Sequence, residues 1–488
     1  MRIRVSSNSL ISVLAYAIPV LNVIALNNNT LGNGLILFQS VILIAVFIFG
    51  SVSSYLCTLI VFGASALMNT DIMDAFYNTI VENNIFGIPI IAVFSLIGLL
   101  KVLLQGRSIS LNGIKNNSRV AYSVMIAMNA IGIASVIVGI IVYSLNDNGV
   151  QNIQGGISNL FRLSYYTILI PISFSFMISN SSSCNEEFSK QITKCLKNIL
   201  IGVCLSAFIA RGIGAFGYYG GFSNYVNISP VSWYIPLLLL DQKKDRIIGR
   251  GERFIVIATI VFLLISNASG KLIIITAYSV FYLLTFSDSI SSYLKPVLGL
   301  VTLTIAIIML SIIGVGNNSS SSLLGIKMGQ VISLVNIFNA NWLSNMEGSP
   351  KIRVYEIINT AIEFVRKPYY ILFGKGIYGT IQDYTEAFGR VNTSAFSAQQ
   401  YAANAFYGVH ETFAKLFLYN GAAGIIFFID VCKKCIKRFS DNIWIQIGFF
   451  WFIFSYGWNI QQACFGYTAL IIGLLISGKS TELKRVEE

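Results

Sequence analysis

The stretch YGVHETFAKLFLYNGAAGIIFF, residues 407–428, starts in a polar segment and passes into an apolar run of helical length. Its histidine, His410, is the only one in the chain, and it stands at the border. Borders of this kind recur along all 488 residues, and they decide the fold class. Hydrophobic residues make up 55% and charged residues 11%, and the mean hydropathy is +0.71. A domain that faces water on all sides carries roughly 25% charged residues, so much of this surface must face lipid. Within hydrocarbon each backbone polar group needs a partner in its own segment, which selects helices over open sheets. The composition therefore predicts an all-α polytopic integral membrane protein.

Fourteen candidate spans lie near 9–26, 34–50, 54–69, 84–104, 120–145, 162–180, 198–215, 226–241, 254–268, 272–287, 296–314, 412–431, 442–457 and 463–478. Several fall short of the ~20 residues that a crossing helix needs, so about 12–14 transmembrane helices are expected. MRIRV followed by an apolar run reads as an uncleaved first helix. Lysine and arginine in short loops mark the cytoplasmic side. With Arg2 and Arg4 inside, the basic loops alternate as required: Lys101 to Arg119, Lys190 to Lys197, KKDRIIGRGER and CKKCIKRF. The intervening loops NNNTLGN, TDIMDAFYNTIVEN and NDNGVQNIQGGISN hold no Lys or Arg. The net charge of +12 thus reads as membrane topology, with no nucleic-acid partner, and both termini fall in the cytoplasm.

This topology divides the chain into helices over 1–314, one large outer loop over 315–411, and C-terminal helices with a cytoplasmic tail over 412–488. Loops beyond ~12–15 residues are usually functional or disordered. The large loop opens on GNNSSSSLLG and continues as PKIRVYEIINTAIEFVRKPYY, a helix bounded by Pro350 and Pro368. Ile352, Ile357, Ala361, Phe364 and Val365 form its expected apolar face, with Arg353, Glu356 and Glu363 elsewhere. LFGKGIYGT then reads as a glycine turn.

Several motifs reduce to bland readings. GIGAFG, residues 212–217, matches a dinucleotide fingerprint only in letters, because that motif needs a strand before it and a helix after it. The seven cysteines are scattered, and Cys432 and Cys435 form a lone CxxC. With a single imidazole no zinc site is expected. Asp71 and Asp74 read as a solvated loop face.

The remaining chemistry is a set of outer cations and one imidazole. Arg211 ends the seventh span and Lys271 sits on a short outer turn; each snorkels to headgroups or serves a site. Arg353 either pairs with Glu356 one turn on or binds substrate, and Arg366 and Lys367 pair with Glu363. Arg390 stays open between the two roles. His410 is either a cap on the following helix or a proton-handling group. Cations beside such an imidazole at the membrane surface suit a lipid-linked pyrophosphate.

These elements, in order, resemble the O-antigen polymerase and O-antigen ligase superfamily of bacterial envelope glycosyltransferases. ISNASGKLIIITAYSVFYLL is similar to the family's Ser-Arg element, with Lys271 in place of Arg. KIRVYEIINTAIEFVRKPYYILFGKGIYG resembles its loop helix and Gly-x-Gly turn, carrying Arg353, Gly374 and Gly376. VHETFAKLFLYNGAAGIIFFI resembles its His-Asn element, with His410, Gly421 and Gly424, and with Glu411 where Asn is common. Arg211 occupies a place similar to an outer arginine of the family. The resemblance spans roughly the second half of the chain.

It implies a GT-C-like fold in the bacterial inner membrane, with a mostly helical periplasmic loop. The implied reaction is inverting glycosyl transfer without metal or cofactor. The donor is a glycan on undecaprenyl pyrophosphate, and a chain-length regulator is a further implied partner. His410, Arg353 and Arg211 are then catalytic; Arg211, Lys271, Arg353 and Arg390 bind pyrophosphate, and Glu411, Arg366 and Tyr225 are secondary. The compositional bias favours a polymerase over a ligase that transfers to lipid A-core. A lipid-linked oligosaccharide flippase is a different reading, disfavoured by the single long loop. A metal-dependent polyprenyl-phosphate-sugar transferase would instead rely on Asp71 and Asp74.

Overall fold

The computed structural model describes residues 7–26, 28–67, 79–81, 83–105, 110–145, 156–182, 186–219, 222–241, 247–266, 269–286, 327, 329–330, 341–346, 348–391, 395–407 and 409–487. Three helices open the fold: α1 (Ser7–Ile24), α2 (Asn29–Phe49) and α3 (Val52–Ala64). Polar side chains separate these closely spaced apolar runs. Asn28 accepts from the Leu31 N–H ahead of α2, and Ser51 accepts from the Ser54 N–H ahead of α3. On α2, Leu37, Val41, Ile44 and Ile48 form an exposed stripe at helical spacing, a lipid-facing surface.

The stretch expected as one span over 84–104 begins differently. Residues Asn84–Ile85 and Ile88–Pro89 form a hairpin, with Phe86 and Gly87 both at positive φ in the manner of a type I′ turn. Helix α4 (Ile90–Leu104) starts only after Pro89. Helix α5 (Arg119–Ser144) follows, then α6 (Gly156–Ser164), which passes through a π-helical turn (Tyr165–Leu169) into α7 (Ile170–Ser182). Helix α8 (Glu186–Gly212) leads into a second hairpin, Phe216–Tyr219 with Phe222–Val226. Here GIGAFG runs from helix to strand, the reverse of the dinucleotide order.

The span expected over 226–241 is a 3₁₀ helix, Pro230–Leu240, not an α-helix. Pro236 inside it cannot donate a ladder hydrogen bond, and the longer 3₁₀ rise stretches the segment to about 22 Å. Then come α9 (Arg250–Ser266), α10 (Gly270–Phe286), α11 (Gly348–Arg366), α12 (Thr412–Ile436), α13 (Ile443–Trp458) and α14 (Ile460–Glu487). Among the described residues six helices are long and apolar enough to cross a membrane, and six more are shorter apolar helices. The fold is that of an all-α polytopic membrane protein, with two small hairpins among the described residues. The candidate span 296–314, the GNNSSSSLLG lead-in, and Asp71 and Asp74 lie outside the described residues.

Two contacts position the later chemistry. Helices α13 and α14 form a close antiparallel pair, and a Cβ on Gly448 would stand 2.2 Å from the Leu470 nitrogen. Helix α12 is broken at Gly421, whose backbone is left-handed at φ 56°. The break releases the carbonyls of Leu418 and Tyr419, which accept from the N–H groups of Lys375 (2.8 Å) and Gly376 (3.0 Å). Ile377 N–H donates to Ser135 O on α5 at 2.8 Å. The glycine turn thus enters the break between α5 and α12.

The turn tolerates no side chain at its second glycine. A Cβ on Gly376, at φ 72°, would stand 1.9 Å from the Gly139 nitrogen. Gly376→Ala should therefore cost about 2–5 kcal/mol, the sum of left-handed strain and overpacking. Denaturation in detergent measures this; a variant as stable as the parent would contradict the insertion of the turn.

Candidate active site

Helix α11 does not bury the face that its apolar residues suggest. Its buried positions are Ile352, Glu356, Asn359, Thr360, Glu363 and Phe364, whereas Val365 is 77% exposed. The buried stripe is rotated by about 100°, one residue's turn, from the apolar one. Polar groups on neighbouring segments draw the carboxylates inward, because each finds a charged or hydrogen-bonding partner there.

Glu356 is fully buried and spends both oxygens on His410. Oε1 lies 2.5 Å from Nδ1, and Oε2 accepts the His410 main-chain N–H at 3.0 Å. An ionised carboxylate only accepts, so Nδ1 carries the hydrogen between them, and in a neutral ring Nε2 is then the bare nitrogen. The expected pairing of Arg353 with Glu356 is thereby corrected: Arg353 pairs with Glu411, Nη1 to Oε1 at 2.8 Å. The Arg353 Nε is buried without a partner among the described residues.

Helix α13 holds the other side of this border. A Cβ on Gly457 would stand 2.6 Å from the His410 carbonyl oxygen and 2.4 Å from the Glu411 carbonyl carbon. Thr412 Oγ1 donates to Ile453 O and accepts the Gly457 N–H at 2.9 Å. The Phe396 ring meets the imidazole at 5.4 Å between centroids, near edge-on. The ring of His410 is therefore fixed by its main chain, a carboxylate and an aromatic wall.

Cations gather around the pair. Lys271 donates to Phe454 O at 2.7 Å and lies over the rings of Trp233 (4.9 Å) and Trp458 (5.1 Å). Glu411, Arg353 and Lys415 are the charges within its electrostatic reach. Lys415, one turn after Glu411 on α12, is buried and within reach of Glu356. Its ammonium faces the Tyr419 ring at 6.0 Å and, among the described residues, has no hydrogen-bond or ion-pair partner. Burial pushes the Lys327 ammonium down to about 8, and the nearby Arg353 charge adds to the shift. These cations outnumber Glu356 and Glu411, so the cluster is suited to an anion.

A second buried carboxylate lies two turns further along α11. Glu363 Oε1 is 3.0 Å from Lys375 Nζ and 3.6 Å from Lys367 Nζ, and Oε2 accepts from the Tyr384 hydroxyl. Burial and the adjacent Glu363 carboxylate raise the Tyr384 phenol above its ordinary value. Lys367 thus pairs with Glu363 as expected, while Arg366 instead lies over the Tyr384 ring at 4.2 Å.

The structure brings Arg353, Lys271, His410 and Glu411 together. It does not bring Arg211 to them: that exposed guanidinium sits 5.0 Å over the Phe216 ring and, among the described residues, forms no ion pair or hydrogen bond with the cluster. Arg390 pairs with Glu386 at 2.5 Å on the exposed surface. Tyr225 lies in the second hairpin opposite Gly217. Sequence reasoning missed Glu356 and Lys415. Lys415 carried a signal, a charge at the start of an apolar span, whereas Glu356 looked like any solvated helix acid. Among the described residues no three His, Cys, Asp or Glu side chains converge as metal ligands.

No family profile, curated protein or solved structure matches the chain.

The two carboxylates near His410 differ in burial, and this separates their energetic roles. Glu356→Ala strips a partly buried imidazole and a main-chain N–H of their acceptor, a cost of roughly 1–3 kcal/mol for a fully orphaned group and less where water reaches it. Glu411→Ala should stay within about 1 kcal/mol, because both partners in that pair are partly hydrated. Unfolding in detergent compares the two, and equal losses would contradict the assignment.

Proposed function

We propose that the chain is an O-antigen polymerase, joining undecaprenyl-pyrophosphate-linked repeat units on the periplasmic face of the bacterial inner membrane. The observation that carries the reading is the pairing of the buried Glu356 carboxylate with His410, set among Arg353, Lys271 and Lys415 at the start of an apolar helix. The alternation of basic loops supports a periplasmic position for this border.

In this mechanism the donor's lipid tail lies in the bilayer and its pyrophosphate meets Arg353, Lys271 and Lys415. Arg353 offers a planar fork to phosphate oxygens, and the lysines act as point charges. The acceptor sugar hydroxyl sits against His410 Nε2, which takes its proton as the oxygen attacks the anomeric carbon. The bond from that carbon to the pyrophosphate oxygen breaks on the opposite face, so configuration inverts. Undecaprenyl pyrophosphate leaves with the bonding electrons, and the cations stabilise its growing charge. Glu356 stabilises the imidazolium that forms, as a buried carboxylate does behind a catalytic histidine.

A ligase that uses lipid A-core as acceptor shares this donor chemistry, and a flippase needs no base. Surface polysaccharide from a deletion strain separates them on a gel. Single repeats on lipid A-core identify a polymerase; bare core with accumulated lipid-linked polymer identifies a ligase. His410→Ala and Arg353→Ala should each abolish long chains while the protein stays inserted, and chelators should leave purified activity intact. Normal chain lengths in His410→Ala would overturn the base assignment, and loss on chelation with rescue by a divalent cation would overturn the metal-free mechanism.

A further inference from the structure

Glu356 and Glu363 stand seven residues apart on the buried face of α11, two helical turns or about 10.5 Å along its axis. Glu356 is tied to the segment leading into α12, and Glu363 to the glycine turn that is bonded to α12. Glu356 holds His410, immediately before the helix begins. Glu363 holds Lys375, whose own N–H donates to Leu418 O at 2.8 Å, just before the Gly421 break. The two Glu356 bonds to His410 and the Arg353–Glu411 pair hold one end of α11, and Phe364 meets Phe417 of α12 at 4.8 Å between ring centroids. The charged tie at Glu363 adds a second, directional point two turns further along.

The chemistry at the second tie fits this task. Both side chains are almost fully buried, at 2% and 3% exposure, and Glu363 is further held by Tyr384 and Lys367. Buried ion pairs are poor stabilisers, since apolar side chains of similar size often do as well or better. What such a pair supplies is direction. Here it fixes which turn of α11 lies against which turn of α12, and the glycine turn conveys that register through main-chain bonds that no side-chain repacking can shift.

We infer that Glu363 and Lys375 are positioning residues for the site, setting the register of α11 on α12 and so the orientation of the His410 ring. The activity arm of the test rests on the proposed transferase reading; the geometric arm does not. Because His410 is the only histidine, carbethoxylation of its imidazole by diethyl pyrocarbonate, read by peptide mass, reports the ring directly in protein held in nanodiscs. The informative variants are Lys375→Met, Lys375→Arg and the doubly apolar Glu363→Leu with Lys375→Met, which keeps the site filled and is expected to fold.

Lys375→Met and the double variant should free the ring, so that it reacts several-fold faster. Turnover of a lipid-pyrophosphate glycan should fall about 100-fold, the scale of an ångström-sized misplacement, with KM little changed. Lys375→Arg should restore both readouts. A folded double variant whose imidazole reacts at the parent rate overturns the inference, and so does a loss confined to KM. If the parent transfers no glycan at all, the transferase reading fails, and the carbethoxylation rates still decide the register.

Discussion

The contact between Glu356 and His410 governs this architecture. A carboxylate with no exposure to water is costly to bury unless its oxygens are matched, and here one residue supplies both partners, a ring nitrogen and a main-chain N–H. Satisfying that carboxylate forces α11 to lie with its acidic stripe inward and the first turn of α12 to meet it. The position of Arg353, one turn before Glu356, follows from the same constraint. So does its pairing with Glu411, the residue after His410.

The membrane side of the site depends on a different device, the failure of α12 to be continuous. An unbroken helix would consume the carbonyls of Leu418 and Tyr419 internally. The left-handed backbone at Gly421 hands them to the glycine turn instead. Irregular backbone at membrane depth persists only where protein buries it, and the packing of Gly374 against Tyr419 and Asn420 provides that cover. The glycine turn and α12 are thereby joined by main chain, which leaves the surrounding side chains to carry charge.

Much of this was legible from the letters alone. Hydropathy located most of the helices, and the glycines at 374 and 376 marked the turn, whereas the break at Gly421 falls inside a span read as continuous over 412–431. His410, Arg353 and Lys271, singled out from the sequence, do lie in one cluster. What the letters concealed was direction. Periodicity placed the apolar side of α11 inward because transfer energies favour it, yet Glu356 and Glu363 override that preference through partners distant in sequence, at His410 and Lys375. For the same reason Arg211 looked equivalent to Arg353, although its guanidinium rests on Phe216. The prolines at 230 and 236 were visible, but apolar content outweighed them in a stretch that folds as 3₁₀ helix.

The central claim, that a buried carboxylate from the loop helix holds the one imidazole with its hydrogen on Nδ1, is open to direct measurement. Protein labelled with nitrogen-15 histidine gives a single imidazole, whose two nitrogen shifts identify the hydrogen-bearing atom in lipid nanodiscs near neutral pH. Nδ1 should carry the hydrogen and Nε2 should be bare, with that signature lost in Glu356→Ala. A ring that carries its hydrogen on Nε2, or one whose shifts ignore the loss of Glu356, would contradict it.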